Sequence, residues 1–462
     1  MAAQPAPIPL GMQSYQRLKS GFPEVVLRNL ILEKDSSGAS ADQVLRLQRA
    51  GLRKLVTFPA GIRGIYQMDG VLGGLTFVVA GNTLYSTNLA TFTSIGSITG
   101  DTAPAKMAAN FERLGIVSGG KFWTYNGSTL TQVTLPDDQS PIDVDVINSY
   151  FILTLSDGTF YWLAPGQADF SDPDPGHDAD PALQFATAEG LPDGLRAVKR
   201  LRDDLYFFGA VSIEVWQPTG DAVATFSRAA GRTIERGCMA RDSVVICDNT
   251  LFFVGDDGVV YRLSDVPARI SSFGIEERIR KRTGAVSAFT YTADGHKFYV
   301  LRIPGQGSFA YDVATEAWSE FATLGQMTWR AIIGLDTANG PLAGDASGNL
   351  FVLDPEYALD NGVAFERMVT ATIALDAHRR ANPSMAIFVG CDAETGFSLR
   401  WKDALGDWST PRPLTARPGS DILNAWRLGS TRGAYRTFEI STVANSIVRI
   451  SGAIANSTRG SA

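Results

Sequence analysis

Cysteine and histidine are nearly absent, with three of each in 462 residues. Cys238, Cys247 and Cys391 make no disulfide framework. Cys238 and Cys247 fall inside expected strands, where a small buried apolar residue is the ordinary reading. His177, His296 and His378 lie far apart in sequence, which argues against a His-rich metal centre. Charge is sparse too, at 19% of residues, and its balance of -7 argues against tight electrostatic binding of nucleic acid. No cationic stretch followed by an apolar one opens the chain, so no signal peptide is expected. No apolar run reaches membrane-spanning length. Sequon matches at Asn126 and Asn456 read as chance. The expectation is a soluble chain made in a cytoplasm.

Catalytic signatures are missing as well. There is no Gly-x-Ser-x-Gly, no His-Glu-x-x-His and no Gly-x-Gly-x-x-Gly. Gly119-Gly120-Lys121 lacks the upstream Gly and the following Ser/Thr of a phosphate loop. The 48 acidic residues supply carboxylate pairs by number alone, and nothing singles out one pair. No catalytic, cofactor-binding or metal residue is therefore assigned, no cofactor is expected, and the chain reads as a non-enzyme.

What the chain does contain is a repeat. Glycine is abundant at 46 residues. A short apolar strand, a turn of Gly, Asp, Asn or Ser, and a second strand with a large anchor recur along the middle of the sequence. The anchors are Tyr85, Trp123, Tyr161, Trp216, Tyr261, Tyr311 and Phe351, spaced between 38 and 55 residues apart. A drifting period of that size fits one four-stranded propeller blade. A lone blade cannot bury its own faces, so the blades must close into a ring.

The reading is all-β: a distorted β-propeller of about seven blades with an N-terminal extended arm and a C-terminal β-sandwich-like domain. Residues 1–60 form the arm and first strands, 61–355 the propeller, and 364–462 an antiparallel β domain. Residues 1–22, rich in Pro and Gln, need another surface to order them. One helix stands out at Ile275–Arg282, with Ser272 as N-cap and pairs Glu276–Arg280 and Glu277–Lys281 at i,i+4 spacing.

Several motifs weigh toward plain readings. Ser156-Asp157-Gly158-Thr159 is similar to a sialidase Asp-box, but its spacing differs and a hairpin turn explains it. The Asp/Pro loop 169–181, with Asp169, Asp172, Asp174, Asp178 and Asp180, lacks a calcium-loop register and reads as a solvated acidic loop. Asp193, Arg202 and Glu214, with Glu189, read as charges that pair and fix strand register. His378-Arg379-Arg380 reads as an exposed basic turn.

A longer stretch carries a family resemblance. It runs from Phe170-Ser171-Asp172-Pro173 through Glu189-Gly190-Leu191-Pro192-Asp193-Gly194, Ser212-Ile213-Glu214-Val215-Trp216 and Glu235-Arg236-Gly237 to Ile275-Glu276-Glu277-Arg278-Ile279-Arg280. Asn29-Leu30, Glu33-Lys34-Asp35 and Arg49-Ala50-Gly51-Leu52 agree with it upstream. In their order these pieces resemble the packaged-DNA stabilisation proteins of short-tailed bacteriophages, also called tail nozzle or tail hub proteins. The resemblance implies a virion protein that forms a homo-oligomeric ring, typically a hexamer, below the portal and its adaptor (head-completion) protein. Such a ring extends the DNA channel, retains the packaged genome until ejection, and offers attachment to fibre, spike or plug proteins. Genomic DNA would pass without sequence-specific binding. The alternative reading is a glycan-binding or glycan-cleaving β-propeller, which requires aromatic residues and paired carboxylates converging at the central mouth.

Overall fold

In each repeat, apolar residues come in short runs broken by Gly, Asn and Asp, so the chain reverses every five or six residues. The computed structural model describes the whole chain apart from residues 1–3, 17–23, 36–43, 171–183, 189, 222–223, 375–379, 405, 421, 432–434 and 460–462. These reversals build seven four-stranded antiparallel blades. Blade 1 spans Ile62–Tyr66 to Phe92–Ser97, blade 2 Lys106–Ala109 to Leu130–Val133, and blade 3 Asp143–Ile147 to Phe185–Thr187. Blade 4 spans Leu195–Leu201 to Phe226–Arg228, blade 5 Val245–Cys247 to Pro267–Arg269, and blade 6 Ser287–Ala293 to Ala317–Phe321. Blade 7 takes Ile333–Thr337, Gly340–Gly344 and Asn349–Asp354 from the end of the repeat. Its fourth strand is Gly51–Thr57, from far upstream, paired antiparallel to Asn349–Asp354. The ring is thus closed by a strand grouped on sequence with the N-terminal arm.

All seven anchors lie in the third strand of their blade. From there they and their neighbours fill the spaces between blades. Phe160 of blade 3 stacks on Phe207 of blade 4 at 4.3 Å, and Phe252 of blade 5 stacks on Tyr299 of blade 6 at 5.3 Å. Phe122 meets Phe151 edge-on between blades 2 and 3, as Phe208 meets Phe253 between blades 4 and 5. Aromatic pairs of this kind add about 0.5–1.5 kcal/mol beyond burial, so each blade boundary is a core of its own. Cys238 and Cys247 are small fillers in these cores, and burial pushes both thiols up to about 12.

The C-terminal residues form a two-sheet sandwich interleaved with the N-terminal strands. The outer strand of blade 6 pairs in parallel with Leu27–Arg28, which leads on to Glu366–Ala374, Tyr435–Val443, Thr395–Asp403 and Arg412–Ala416. Blade 6 and one sandwich sheet are therefore a single nine-stranded sheet. The second sheet runs Leu30–Lys34, Val44–Gln48, Val448–Arg459, Arg380–Cys391, Ile422–Trp426. Leu27, Leu30, Val369, Ile387, Leu399, Phe438 and Ile450 fill the space between the sheets.

Over its described residues the arm finds a surface within its own chain. Gln4–Pro7 adds to the strand Val448–Arg459, and Ile8 and Leu10 are buried in the sandwich core. Arg46 donates to the carbonyls of Leu10 and Gly11 and pins the segment. The surface that the sequence asked for is thus met, over these residues, by the chain's own sandwich, whose core takes two apolar side chains.

Among the described residues there is one α-helix, Phe273–Arg280, capped by Ser272 as expected. Lys281 pairs with Glu277 at 2.7 Å. Glu276 does not reach Arg280; it is buried and takes Arg269 at 2.7 Å and the Ser271 hydroxyl at 2.8 Å. Burial decided this pairing over helical spacing. The Asp-Gly turns are hairpins: the Asp157 and Asp257 carboxylates accept from the Thr159 and Val259 N–H groups, with Gly158 and Gly258 at positive φ.

Candidate functional site: the propeller axis

The first strands of the seven blades surround the ring axis. Two cavities open there, one at each mouth. The first has a volume of about 560 Å³ and is walled by Ile62, Met107, Val244, Phe289 and Ile333, with Lys106 and Asp242 on one side. The second, about 530 Å³, lies at the opposite ends of these strands, beside Tyr66, Phe111, Asp145 and Arg202.

A crossbar lies at the first of these mouths, at the starting ends of the strands. The 3-10 turn Arg241–Ser243 precedes the first strand of blade 5. From it the Arg241 guanidinium reaches across the axis, donating to the carbonyls of Ile142 before blade 3 (2.5 Å) and Pro104 before blade 2 (3.2 Å). Asp242 beside it pairs with Lys106 of blade 2 at 2.8 Å and with Arg241 at 3.0 Å. In a ring of seven, blades 2 and 5 stand nearly opposite, so these contacts span the axis beside the first cavity. Burial alone would raise the Asp242 carboxyl, but Lys106 and Arg241 outweigh it and hold it below the ordinary range.

Two carboxylates, Asp143 and Asp145, project from the first strand of blade 3 at the same parity. They accept from backbone N–H groups of blade 4: Asp143 from Val198 at 3.1 Å and Asp145 from Arg200 at 2.7 Å. First strands of adjacent blades do not pair by backbone, and these side chains supply the missing bonds. Lys199 lies 3.6 Å from Asp143. Burial would lower the Lys199 ammonium, but Asp143 and Asp145 outweigh it and raise it. Burial pushes the Asp145 carboxyl up, against the pull of Lys199 and the Arg200 N–H. The sequence held no signal for this pair, because the residues that use it are on another blade.

The other singled-out charges are structural in their contacts. Asp193 accepts from the Val211 and Ser212 N–H groups at 2.7 and 2.8 Å, closing a hairpin of blade 4. Buried Glu214 accepts from the Trp216 indole at 3.0 Å and from the Gly190 N–H. Arg202 occupies a turn with φ of 59°. The acidic loop is described only to Phe170, and Glu189, His378 and Arg379 also lie outside the described residues. Among the described residues no group of three or more His, Cys, Asp or Glu is placed to hold a metal ion, and no helix is long and apolar enough to cross a membrane.

A family model described as "Bacteriophage P22 Gp10, beta-propeller" matches residues 6–358, well over half of the chain. The chain belongs to this family. It is a structural β-propeller of the phage tail-nozzle, DNA-stabilising kind. No curated protein matches the sequence. Solved structures similar to the chain include the computationally designed Ika8 protein, at 13% identity and a TM-score of 0.40, covering 71% of this chain and 99% of that one. The WD40 propeller domain of Doa1 is similar at 11% identity and a TM-score of 0.41, covering 66% and 98%. The extracellular domain of a putative hybrid two component system, BT4673 from B. thetaiotaomicron, is similar at 10% and 0.44, covering 80% and 48%. At these TM-scores the likenesses carry nothing further about this chain.

Proposed function

We propose that the chain is a non-catalytic subunit of a tail-nozzle ring in the virion. Six copies would sit below the portal and its adaptor, extend the DNA channel, help retain the packaged genome, and present surfaces to fibre, spike or plug proteins. In this reading the chain works as three units: the arm and first strands, the propeller, and the C-terminal β domain. DNA would run along the axis of the ring of subunits and not along the axis of any one propeller.

The observation that carries this reading is the crossbar. A duplex whose major groove alone is about 12 Å wide cannot thread an axis spanned by Arg241 and by the 2.8 Å Lys106–Asp242 pair. A passage for DNA therefore has to be made by several copies, in keeping with the family. The glycan reading is not favoured. It asks for free paired carboxylates at the mouth, and Asp143 and Asp145 are taken up by Val198, Arg200 and Lys199. Native mass measurement of the full chain, alone and with its adaptor, tests the proposal. A closed ring supports it; a persistent monomer that depletes a polysaccharide overturns it.

A further inference from the structure

From Gly70 to Gly100 the chain holds no Asp, Glu, Lys, Arg or His. That stretch makes three of the four strands of blade 1. Its last strand, Phe92–Ser97, pairs with Thr83–Thr87 on one side and, among the described residues, with no strand on the other. The third and fourth strands of blade 2 adjoin it, with Leu130 against Gly96, and Phe122 to Pro136 is equally free of charge. Exposed here are Phe92, Thr93 and Ser94, then Thr131 and Gln132.

An uncharged, unpaired edge is a template for strand addition, and proteins that remain single guard such edges with charge, proline or brevity. Elsewhere this chain does so. The outer edge of blade 5 is Pro267–Arg269, that of blade 4 is Phe226–Arg228 and that of blade 3 is Phe185–Thr187, three residues each. In the sandwich, Leu30–Lys34 ends in exposed Glu33 and Lys34, and Arg412–Ala416 opens with Arg412 and Pro413. Blades 1 and 2 depart from this pattern, blade 1 with six residues and blade 2 with four, none of them charged or proline. So does one sandwich edge, Ile422–Trp426, which carries no charge and exposes Ile422 and Trp426 at 42% and 63%. Its Trp426 carbonyl takes a bond from Arg412, and Phe388 lies beside Ile422 across the sheet.

We infer that the outer strand of blade 1 is a subunit contact, covered in the assembled ring by the sandwich strand Ile422–Trp426 of a second copy of this chain. Neither strand contains a charged residue, their lengths are six and five residues, and they lie on different parts of the molecule, with Arg412 meeting the sandwich edge at the Trp426 carbonyl. A contact between unlike patches is heterologous, the kind that closes rings when the rotation permits. Backbone bonds would hold the two strands, while Trp426 and Ile422 would settle on the Thr- and Ser-rich face beside Phe92.

This inference rests on the ring reading, and the test separates the two. The full chain would be compared by native mass measurement with a Thr93→Lys/Ser94→Lys variant, both positions being exposed and therefore harmless to folding. The wild type is expected as a ring and the variant as a monomer with an unchanged unfolding midpoint, its assembly weakened roughly 100-fold or more by charge placed in a closed contact. In a Cys391→Ser background, Ser94→Cys with Asn424→Cys should give a covalent ladder with a short bis-maleimide. A wild-type ring that the lysines leave intact, or one without cross-links, overturns the contact and leaves the ring standing. A lysine variant that keeps its ring and loses only the adaptor also overturns it, assigning the edge to another protein. A wild type that is monomeric with and without adaptor overturns the ring itself.

Discussion

Arg49 and Arg367 are both fully buried and lie against one ring, each with its guanidinium carbon 4.1 Å from the Phe365 centroid. Arg49 makes a two-pronged pair with buried Asp360, at 2.9 and 2.6 Å. Among the described residues Arg367 has no carboxylate in contact; it donates to the Phe365, Ala444 and Ala358 carbonyls and to Gln48. Burial, with Arg49 adding to it, pushes the Arg367 guanidinium down to about 10. The cluster sits where Gly51–Thr57 leaves the sandwich for blade 7, so it welds ring to sandwich. Removing one partner of a buried pair strands the other. Arg49→Met should lower unfolding stability by about 3–5 kcal/mol, and adding Asp360→Leu should restore part of it, read by urea denaturation. His296 gives a pH signature. Its bond to Asp312, 2.8 Å long, raises the imidazole above its ordinary value against the opposing effect of burial. A raised folded value means stability that is full below about pH 6.5 and fades as pH climbs through the folded value. His296→Gln should flatten this fall as pH rises above about 6.5, read in thermal scans.

At the scale of elements, the ring depends on two long-range devices, the closing strand Gly51–Thr57 and the crossbar Arg241–Ser243. Leu52 is fully buried and faces Leu353 across the closing ladder. Leu52→Ala should cost about 2–5 kcal/mol, seen as an earlier urea midpoint. Asp242 is held low by Lys106 and Arg241, so its contribution is present above the ordinary carboxylate value and is lost as pH falls through the folded one. Asp242→Asn should be less stable than wild type at pH 6 and lose that deficit in acid, read as midpoints across a pH series. Both devices were illegible in the sequence, and for the same reason. Blade strands announce themselves locally, through an anchor such as Tyr161 or Phe351 next to a Gly turn. The partner of Leu52 is some three hundred residues downstream, and Arg241 acts across an axis that exists only once the ring has closed. Asp143 and Asp145 were equally silent, since alternating carboxylates on a strand look like any solvated face until blade 4 offers its N–H groups. Glu276 misled for a related reason: helical spacing favoured Arg280, while the buried position favoured Arg269 from the preceding strand.

At the scale of the molecule, blades 6 and 7 are committed to the chain's own termini, because their outer strands continue into Leu27–Arg28 and Leu359–Asp360. Among the described residues, blades 1 to 5 keep their outer edges open. The subunit is thus one-sided, with the sandwich anchored on one arc and free edges on the other, a shape suited to repeating around an axis. Its own axis is barred, so the account turns on where DNA lies relative to each propeller. Electron cryomicroscopy of the assembled tail with genome in place measures this directly. The account predicts a closed ring of copies with duplex density along the common axis and none between the blades of any subunit. Duplex density between Arg241 and Lys106, inside a single propeller, would contradict it.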